Sequence, residues 1–522
     1  MKFISDYDIE GVNRAKISDI IKFLDSTREF VLDIETSSKV KKLDYGGEVY
    51  RPGLDPWLSK IIMVQIGNDK EQFVIDVRRV DIEFLLPYLV NPEYRIIIHN
   101  AQFESIHFLH NYGIKIYNIW DTMIVEKLLY NGLPLSYSLE AVGKRRLGLK
   151  SIEDSSLFEE EIYEEDEEEL DYLFNLLDGI HNKVIDKSTR LQFVNIGDKP
   201  FDAKQVNYGA DDVTIPFKIY KQQLEGREIN GEHWYPEEAI KLENKTTFVL
   251  AEMKYRGFPV NQELWLDTEK KNAETFKVRK KAIDNFIINN YKQFTASIDL
   301  FTNEPTCAVD WASPTQVVKL FRFWDICPKE KSKQTGRLEW SVGAKALFKV
   351  LRKDLKECFL KDQFPSEIIG LEEFILAYLL YKKTEQLITS FGKSWLESYI
   401  HPITKRVHSN YNQLMISTRL SSNSPNGQQL PRTEDYRRCI APNEGKLICN
   451  DYSQQEIYVA AFTHNSKELI KFLKEGDPTY GTDSHSFMAA KTFSIVYGKD
   501  FYCDKKSEER QYQKVISFQT IN

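Results

Sequence analysis

The chain reads as an α/β domain with a mixed sheet, followed by a mostly helical region. Two patterns predict this. Short β-branched runs crowd the N-terminal part, with helical patterns interleaved and continuing to near residue 225. From about Pro236, apolar residues recur at three- and four-residue spacing over long stretches, as amphipathic helices require. At 522 residues there is room for about three to four domains.

The predicted strands are Phe30-Val31-Leu32-Asp33-Ile34-Glu35, Lys60-Ile61-Ile62-Met63-Val64-Gln65-Ile66, Gln72-Phe73-Val74-Ile75-Asp76 and Tyr94-Arg95-Ile96-Ile97-Ile98-His99. Helices are expected at Ala101 to Asn111, Asp121 to Tyr130 and Ala210 to Leu224. Ile240 to Tyr255 and Leu264 to Tyr291 read as long helices, separated by Tyr255-Arg256-Gly257-Phe258-Pro259-Val260 with its Gly and Pro. Ser313-Pro314-Thr315-Gln316 reads as a helix start before Val317 to Phe323. No internal repeat or low-complexity linker interrupts this order.

Composition narrows the class. No apolar run reaches membrane-spanning length, and the N-terminus has no apolar signal core, so a cytoplasmic chain without membrane contact is expected. Six scattered cysteines without a CxxC pair argue for reduced thiols and against structural zinc. The net charge of −8 does not decide the partner, because thirteen acidic residues and no Lys or Arg lie in Ser151 to Ile180. Without them the remainder carries a formal +5. Such a run most simply forms a solvated helix face or loop.

Asp33 and Glu35 stand two apart in a strand, so their carboxylates share one sheet face. Two such acids are costly unless a cation neutralises them, and oxygen ligands suit Mg²⁺ or Mn²⁺. Asn100, at the end of a strand, can cap the helix that carries Phe103 and Glu104. Tyr208 and Asp212, four apart, lie one above the other on a helix face. Each signal is weak alone: an Asp-x-Glu pair is more often a surface feature, and Tyr208 can simply pack its ring. Asp121 reads best as a helix N-cap and is left outside the ligand set.

A second constellation lies in the C-terminal part. Lys446-Leu447-Ile448-Cys449-Asn450 reads as an apolar strand leading to Asp451. Arg510, Lys514 and Phe518 share one helix face at i, i+4 and i+8, a spacing that equally suits a solvated basic face.

These pieces in this order carry a resemblance. Thr418-Arg419-Leu420-Ser421-Ser422-Asn423-Ser424-Pro425-Asn426, Asn450-Asp451-Tyr452-Ser453-Gln454-Gln455-Glu456 and the Arg510, Lys514, Phe518 face resemble the palm and fingers of family A DNA polymerases, the bacterial DNA polymerase I type. Leu250-Ala251-Glu252-Met253 and Ala312-Ser313-Pro314-Thr315-Gln316 are similar to landmarks of that family's thumb. The ordered set Asp33-Ile34-Glu35, Asn100 to Glu104 and Tyr208 to Asp212 resembles the DnaQ-like 3′–5′ exonuclease of those polymerases and of ribonuclease D.

The resemblance implies an α/β ribonuclease H-like exonuclease domain at 1–225, a mostly helical thumb with connecting helices at 226–400, and an incomplete α+β palm and fingers, with a partial palm at 401–465 and the truncated start of fingers at 466–522. It makes Asp33, Glu35, Glu104 and Asp212 ligands of a two-metal site for Mg²⁺ or Mn²⁺, with Tyr208 orienting the attacking water. Two metals about 4 Å apart would generate hydroxide and stabilise the departing 3′ oxygen. Asp451 becomes a catalytic metal ligand and Tyr452 a backbone ligand, and Glu456 closes the sugar pocket against a ribose 2′-hydroxyl. Arg510 and Lys514 would meet the triphosphate of a dNTP, and Phe518 its sugar and base. Arg419, Asn426 and Gln429 would contact the DNA primer–template, while single-stranded 3′ ends would enter the exonuclease.

Three departures stand out: Glu104 replaces the family's Asp, Thr418 its Gly, and Gln455 an apolar residue. The added methylene of Glu104 moves its carboxylate by roughly 1.5 Å. None of the nine histidines is followed by Asp, so the second catalytic carboxylate of the family's His-Asp-Glu motif is not reached by Asn522. The chain is therefore expected not to extend a primer alone, and a separate C-terminal polymerase polypeptide becomes an expected partner. Split genes of this kind are familiar in bacteriophages, hence a phage origin and host cytoplasm are expected. The rival readings are a free-standing ribonuclease D-like 3′–5′ exonuclease and a non-catalytic primer–template binding subunit of a split polymerase.

Overall fold

Alternation along residues 29–38 fixes which side of the sheet is apolar and which is acidic. A computed structural model of the chain describes residues 1–38, 43–45, 48–50, 52–130, 133, 135–148, 196–298, 305–331, 336–440, 442, 446, 448–505 and 507–521. The acidic stretch Ser151 to Ile180 lies outside the described residues. The chain divides into two units, Met1–Asn443 and Glu444–Asn522.

The first unit begins with β1 (Lys2–Ile4), α1 (Ile17–Ser26), β2 (Glu29–Ser38), β3 (Ser59–Gly67), β4 (Gln72–Asp76) and β5 (Arg95–Ile98). It continues with α2 (Gln102–Tyr112), β6 (Ile119–Asp121), α3 (Thr122–Leu129), α4 (Leu139–Leu147) and α5 (Ala203–Leu224). The six strands form one mixed sheet in the order β1-β4-β3-β2-β5-β6. β2 runs antiparallel to β3 and parallel to β5.

Phe30, Leu32 and Ile34 pack with Ile20, Phe23 and Leu24 of α1 on one face. Val31 points the other way, into a cluster with Val213, Phe217 and Tyr220 of α5. Asp33 and Glu35 share the face of Val31 by the two-residue period, so they look toward α5. The register shifts immediately after Glu35, where Thr36 pairs with Ile61 and skips Ile62. Such irregularities re-aim side chains and are frequent beside active sites.

The four predicted strands and the helices α2 and α3 fall within two residues of expectation at most ends. The helix α5 starts earlier than its apolar pattern suggested. Asp202 accepts from Gln205 N, and Gln205 Oε1 accepts from Asp202 N, so a capping box sets its first turn. Asn100 does not cap α2 with its side chain. It adopts a left-handed φ of 68°, and the helix N-cap is Ala101 with no side-chain cap. The backbone N–H groups of Asn100 and Ala101 donate instead to Asp121, at 3.0 and 2.8 Å.

The helical region follows as α6 (Glu237–Arg256), α7 (Gln262–Asn290), α8 (Pro314–Phe323) and α9 (Leu371–Phe391). Asn261 caps α7 by accepting from Leu264 N at 3.0 Å. Pro314 opens α8 at a position where its missing N–H is harmless. Phe286, Trp311, Phe321, Phe374 and Tyr378 build the core between α7, α8 and α9.

Trp57 ties the α/β part to the helical part. Its ring stacks on Tyr255 of α6 at 5.2 Å and 5°, and also touches His401 and His408. Beneath it, His401 Nε2 lies 2.9 Å from Asp55 Oδ2, and His408 Nδ1 donates to the Lys254 carbonyl at 2.7 Å. His107 Nε2 meets Ser59 Oγ at 3.2 Å.

The second unit contains α10 (Gln455–Thr463), α11 (Lys467–Glu475), α12 (Ser484–Tyr497) and α13 (Glu508–Ile521). Ile457, Ala461, Phe472 and Leu473 form its larger apolar cluster. Among the described residues the expected strand before Asp451 is absent: Lys446 and residues 448–450 have no strand conformation, and Ile448 is 82% exposed. A strand exists only by pairing, and the described residues of this unit offer no strand partner.

Candidate active site

The acidic face of β2 meets α5. Carboxylate oxygens of Asp33, Glu35 and Asp212 all lie within 4.8 Å of one another, the only such group of three potential metal ligands among the described residues. Gly209 of α5 allows the close approach. A Cβ built there would stand 3.0 Å from Gln65 Cγ and 3.3 Å from Met63 Sδ on β3. Further along α5, Pro216 has no N–H for the carbonyl of Asp212, four residues before it. The regular ladder of the helix is therefore interrupted at the turn that presents Asp212.

Glu104, in the first turn of α2, stands outside that group of three. It is 3% exposed, and its Oε2 has no hydrogen-bond partner in the structure. Burial first, then the charges of Asp33, Asp121 and Glu35, push its carboxyl well above the usual range. Four acids thus converge electrostatically, three of them in mutual contact distance and the fourth buried beside them.

Asp121 is structural. Its carboxylate accepts from the N–H groups of Asn100, Ala101, Met123 and Ile124, bracing the starts of α2 and α3. Burial raises its pKa, and these four donors work against that rise. Tyr208 lies one turn before Asp212, half-buried, with its ring against the cluster of Phe3, Ile62 and Met63.

The donor set fits a hard divalent cation. It offers oxygen atoms only, on rigid elements, and the orphaned Glu104 Oε2 is a buried acceptor that protein atoms do not satisfy.

Of the residues expected to meet DNA, Arg419 and Gln429 are exposed. Asn426 is engaged in its own turn, accepting from Gln428 N at 3.1 Å. Thr418, where the resemblance expects Gly, has a φ of 60°, and its backbone N–H donates to the Met415 carbonyl at 2.6 Å, closing a tight turn.

In the second unit, Asp451 and Tyr452 are exposed, and Glu456 sits exposed in the first turn of α10. Arg510 is not free-standing. Its Nε and Nη2 donate to Asp483 at 3.0 and 3.1 Å, and Nε also reaches Ser486 Oγ at 3.1 Å. Burial pulls the Asp483 carboxyl upward, but Arg510 and Ser486 outweigh it and hold it below the usual range. Lys514 follows one turn later, exposed on α13. Phe518 belongs to α13 by its backbone, and its side chain lies outside the described residues.

Sequence reasoning overlooked Asp483 and His485. His485, buried at the start of α12, has its pKa lowered by burial and then by the charges of Arg510 and Lys514. An available signal was the Asp483-Ser484-His485-Ser486 run, in which Asp483 caps α12 by accepting from Ser486 N. Gln454, with a left-handed φ of 55°, links the Asp451 segment to this cap. Its Nε2 donates to the Thr482 carbonyl at 2.6 Å, and its Oε1 accepts from Ser484 N at 2.9 Å.

Two family models match parts of this chain. Residues 311–522 match DNA polymerase family A, and residues 51–225 match a 3′-5′ exonuclease family. The C-terminal part of the chain is thus similar to family A DNA polymerases and the N-terminal part to 3′-5′ exonucleases. DNA polymerase I of Rhizobium leguminosarum is 36% identical over 133 residues, 24% of this chain and 12% of the relative. The thermostable DNA polymerase I of Thermus aquaticus is 37% identical over 125 residues, 20% of this chain and 15% of the relative. The matched region is therefore a small part of these curated relatives. A solved structure, the POL domain of Pol1 from M. smegmatis in complex with DNA primer-template and dNTP, shares the fold. Its TM-score is 0.59 at 17% identity, over 99% of this chain and 71% of that one. The polymerase family match over the C-terminal part does not favour a free-standing nuclease. No described helix is long and apolar enough to cross a membrane.

Proposed function

We propose that this chain is part of a family A DNA polymerase, that its α/β part is a metal-dependent 3′–5′ proofreading exonuclease, and that residues 311–522 serve template-directed DNA synthesis. The observation that carries the exonuclease reading is the gathering of Asp33, Glu35 and Asp212 within 4.8 Å, on the sheet face covered by α5. These three carboxylates, with Glu104 beside them, would hold Mg²⁺ or Mn²⁺. When bound, the cation supplies a Lewis acid and an activated water for phosphodiester hydrolysis.

The chain's own residues do the rest. β2 fixes Asp33 and Glu35 at strand spacing, and α5 brings Asp212 against them. Glu104 favours its protonated form in the bare site, so it would have to give up that proton to serve as a ligand. Tyr208 is placed on the same helix one turn from Asp212, where its hydroxyl would orient the attacking water.

For synthesis, Asp451 would be a carboxylate ligand and Tyr452 a backbone-carbonyl ligand of a catalytic divalent cation. Glu456 would close the sugar pocket, and Arg510, Lys514 and Phe518 would receive the dNTP. Arg419, Asn426 and Gln429 would contact the primer–template. In support, Arg510 is already aligned by Asp483 and Ser486.

The test is release of mononucleotides from 3′-labelled single-stranded DNA with Mg²⁺ or Mn²⁺. The Asp33→Ala/Glu35→Ala variant should lose activity by several orders of magnitude. Digestion as fast as the parent would show that the site is elsewhere. For the DNA-binding reading, Arg419→Ala should weaken primer–template affinity, and parental affinity should fall as salt rises. Salt-independent binding unaffected by that substitution would count against it.

A further inference from the structure

Among the described residues, Gln65 is a wholly buried amide on the acidic face of the sheet whose chemistry the exonuclease reading leaves unused. It sits on β3 directly opposite Asp33 of β2. Residues so paired point to the same face, with Cβ atoms about 4.5–5.5 Å apart. Gln65 is 0% exposed, and neither its Nε2 nor its Oε1 has a hydrogen-bond partner in the structure.

Its position is confined. A Cβ at Gly209 would stand 3.0 Å from Gln65 Cγ and 3.2 Å from its Nε2. The amide is therefore wedged between β3 and α5, beside the residue that follows Tyr208 and one turn before Asp212. In the sheet, β3 and β5 flank β2 on opposite sides. Asp33 consequently has a buried orphan on each flank: the Gln65 amide on the β3 side, and Glu104 Oε2, carried by the helix after β5.

Packing alone would favour Met or Leu here, because a buried amide without partners is destabilising. A polar group held at such a place next to ligand carboxylates fits the role of orienting them or the water around the cation. We propose that Gln65 is a positioning residue of the exonuclease site, its amide holding, through water, the Asp33 side of the carboxylate group that receives the divalent cation. This rests on the exonuclease reading given above.

The experiment measures Mn²⁺ binding by titration calorimetry and metal-free thermal unfolding, on the DNA-free full chain and its Gln65→Met and Gln65→Glu variants. Gln65→Met should bind Mn²⁺ about tenfold more weakly. Its metal-free melting temperature should equal or exceed that of the parent, since the orphaned amide is gone. Gln65→Glu adds an acid beside Asp33, so its metal-free form should melt lower and bind Mn²⁺ more tightly. Mn²⁺ affinities for both variants within about twofold of the parent would overturn the proposal, because outer ligands of a metal site ordinarily cost more than that. If Gln65→Met does not fold, the Gln65→Glu affinity decides alone. A parent that binds no Mn²⁺ would instead sink the exonuclease metal site itself, an outcome distinct from unchanged variants.

Discussion

Glu104 is where the chemistry of a single methylene can be measured. Its carboxyl is buried, its Oε2 lacks a protein partner, and burial with Asp33's charge favours its protonated form. A shorter acid at the same place keeps the charge and retreats by roughly one bond length. Glu104→Asp is therefore expected to keep the exonuclease rate within about tenfold, roughly 1.4 kcal/mol in the barrier. Glu104→Ala should cost far more, as single-turnover digestion of a 3′-labelled strand would show. Equal rates for Glu104→Ala and the parent would move the ligand role elsewhere. Periodicity puts Asp33 with Glu35 on one sheet face and Tyr208 with Asp212 on one helix face, whereas only the resemblance to the DnaQ-like exonuclease joins the two pairs into one expected site. Gln65 was not legible, because a Gln inside an apolar strand has no spacing signal. Its meaning depends on the strand register opposite Asp33 and on Gly209 across the interface.

Among the elements, the turn at Thr418 shows a sequence departure absorbed by backbone strain. Thr418 holds a φ of 60°, a region costly for a β-branched residue. Thr418→Gly should stabilise the chain by about 1 kcal/mol, the usual cost of left-handed backbone at a residue with a Cβ. Denaturant unfolding that shows destabilisation instead would mean that the Thr side chain makes a compensating contact. Helices and strands with strong periodicity were legible in outline, including α6 and α7 with Gly257 between them. The start of α5 was missed because its capping box, Asp202 with Gln205, lies ahead of the apolar pattern. The strand expected before Asp451 is absent among the described residues. An apolar run can specify a strand only where another strand is present to pair with it, and Ile448 remains exposed.

On the larger scale, the buried His107 and His408 are expected to make the joint between the α/β part and the helical part sensitive to acid. Burial lowers His107 and His408 to about 4. An unfolded histidine titrates near 6.5, so between about 6.5 and 4 the unfolded chain binds more protons than the folded one. The contribution of these residues is complete above about pH 6.5, declines as pH falls through that window, and levels off below about 4. The melting temperature of the parent should drop more between about pH 7 and pH 5 than that of His408→Asn, which cannot titrate. An equal drop in both would remove His408 from the explanation. The proposed metal site belongs to the same scale, since its carboxylates come from parts of the chain far apart in sequence and are gathered by the fold. Groups that act as a unit fail together, so removing one costs nearly as much as removing several. The direct measurement is the single-turnover rate of 3′-nucleotide release with Mg²⁺ for the parent and for Asp33→Ala, Glu35→Ala and Asp212→Ala made singly. The structure predicts that each single variant falls by at least about a hundredfold, with the double variant Asp33→Ala/Asp212→Ala little worse than either. Single variants that retain near-parental rates, or losses that simply multiply, would contradict a shared metal site.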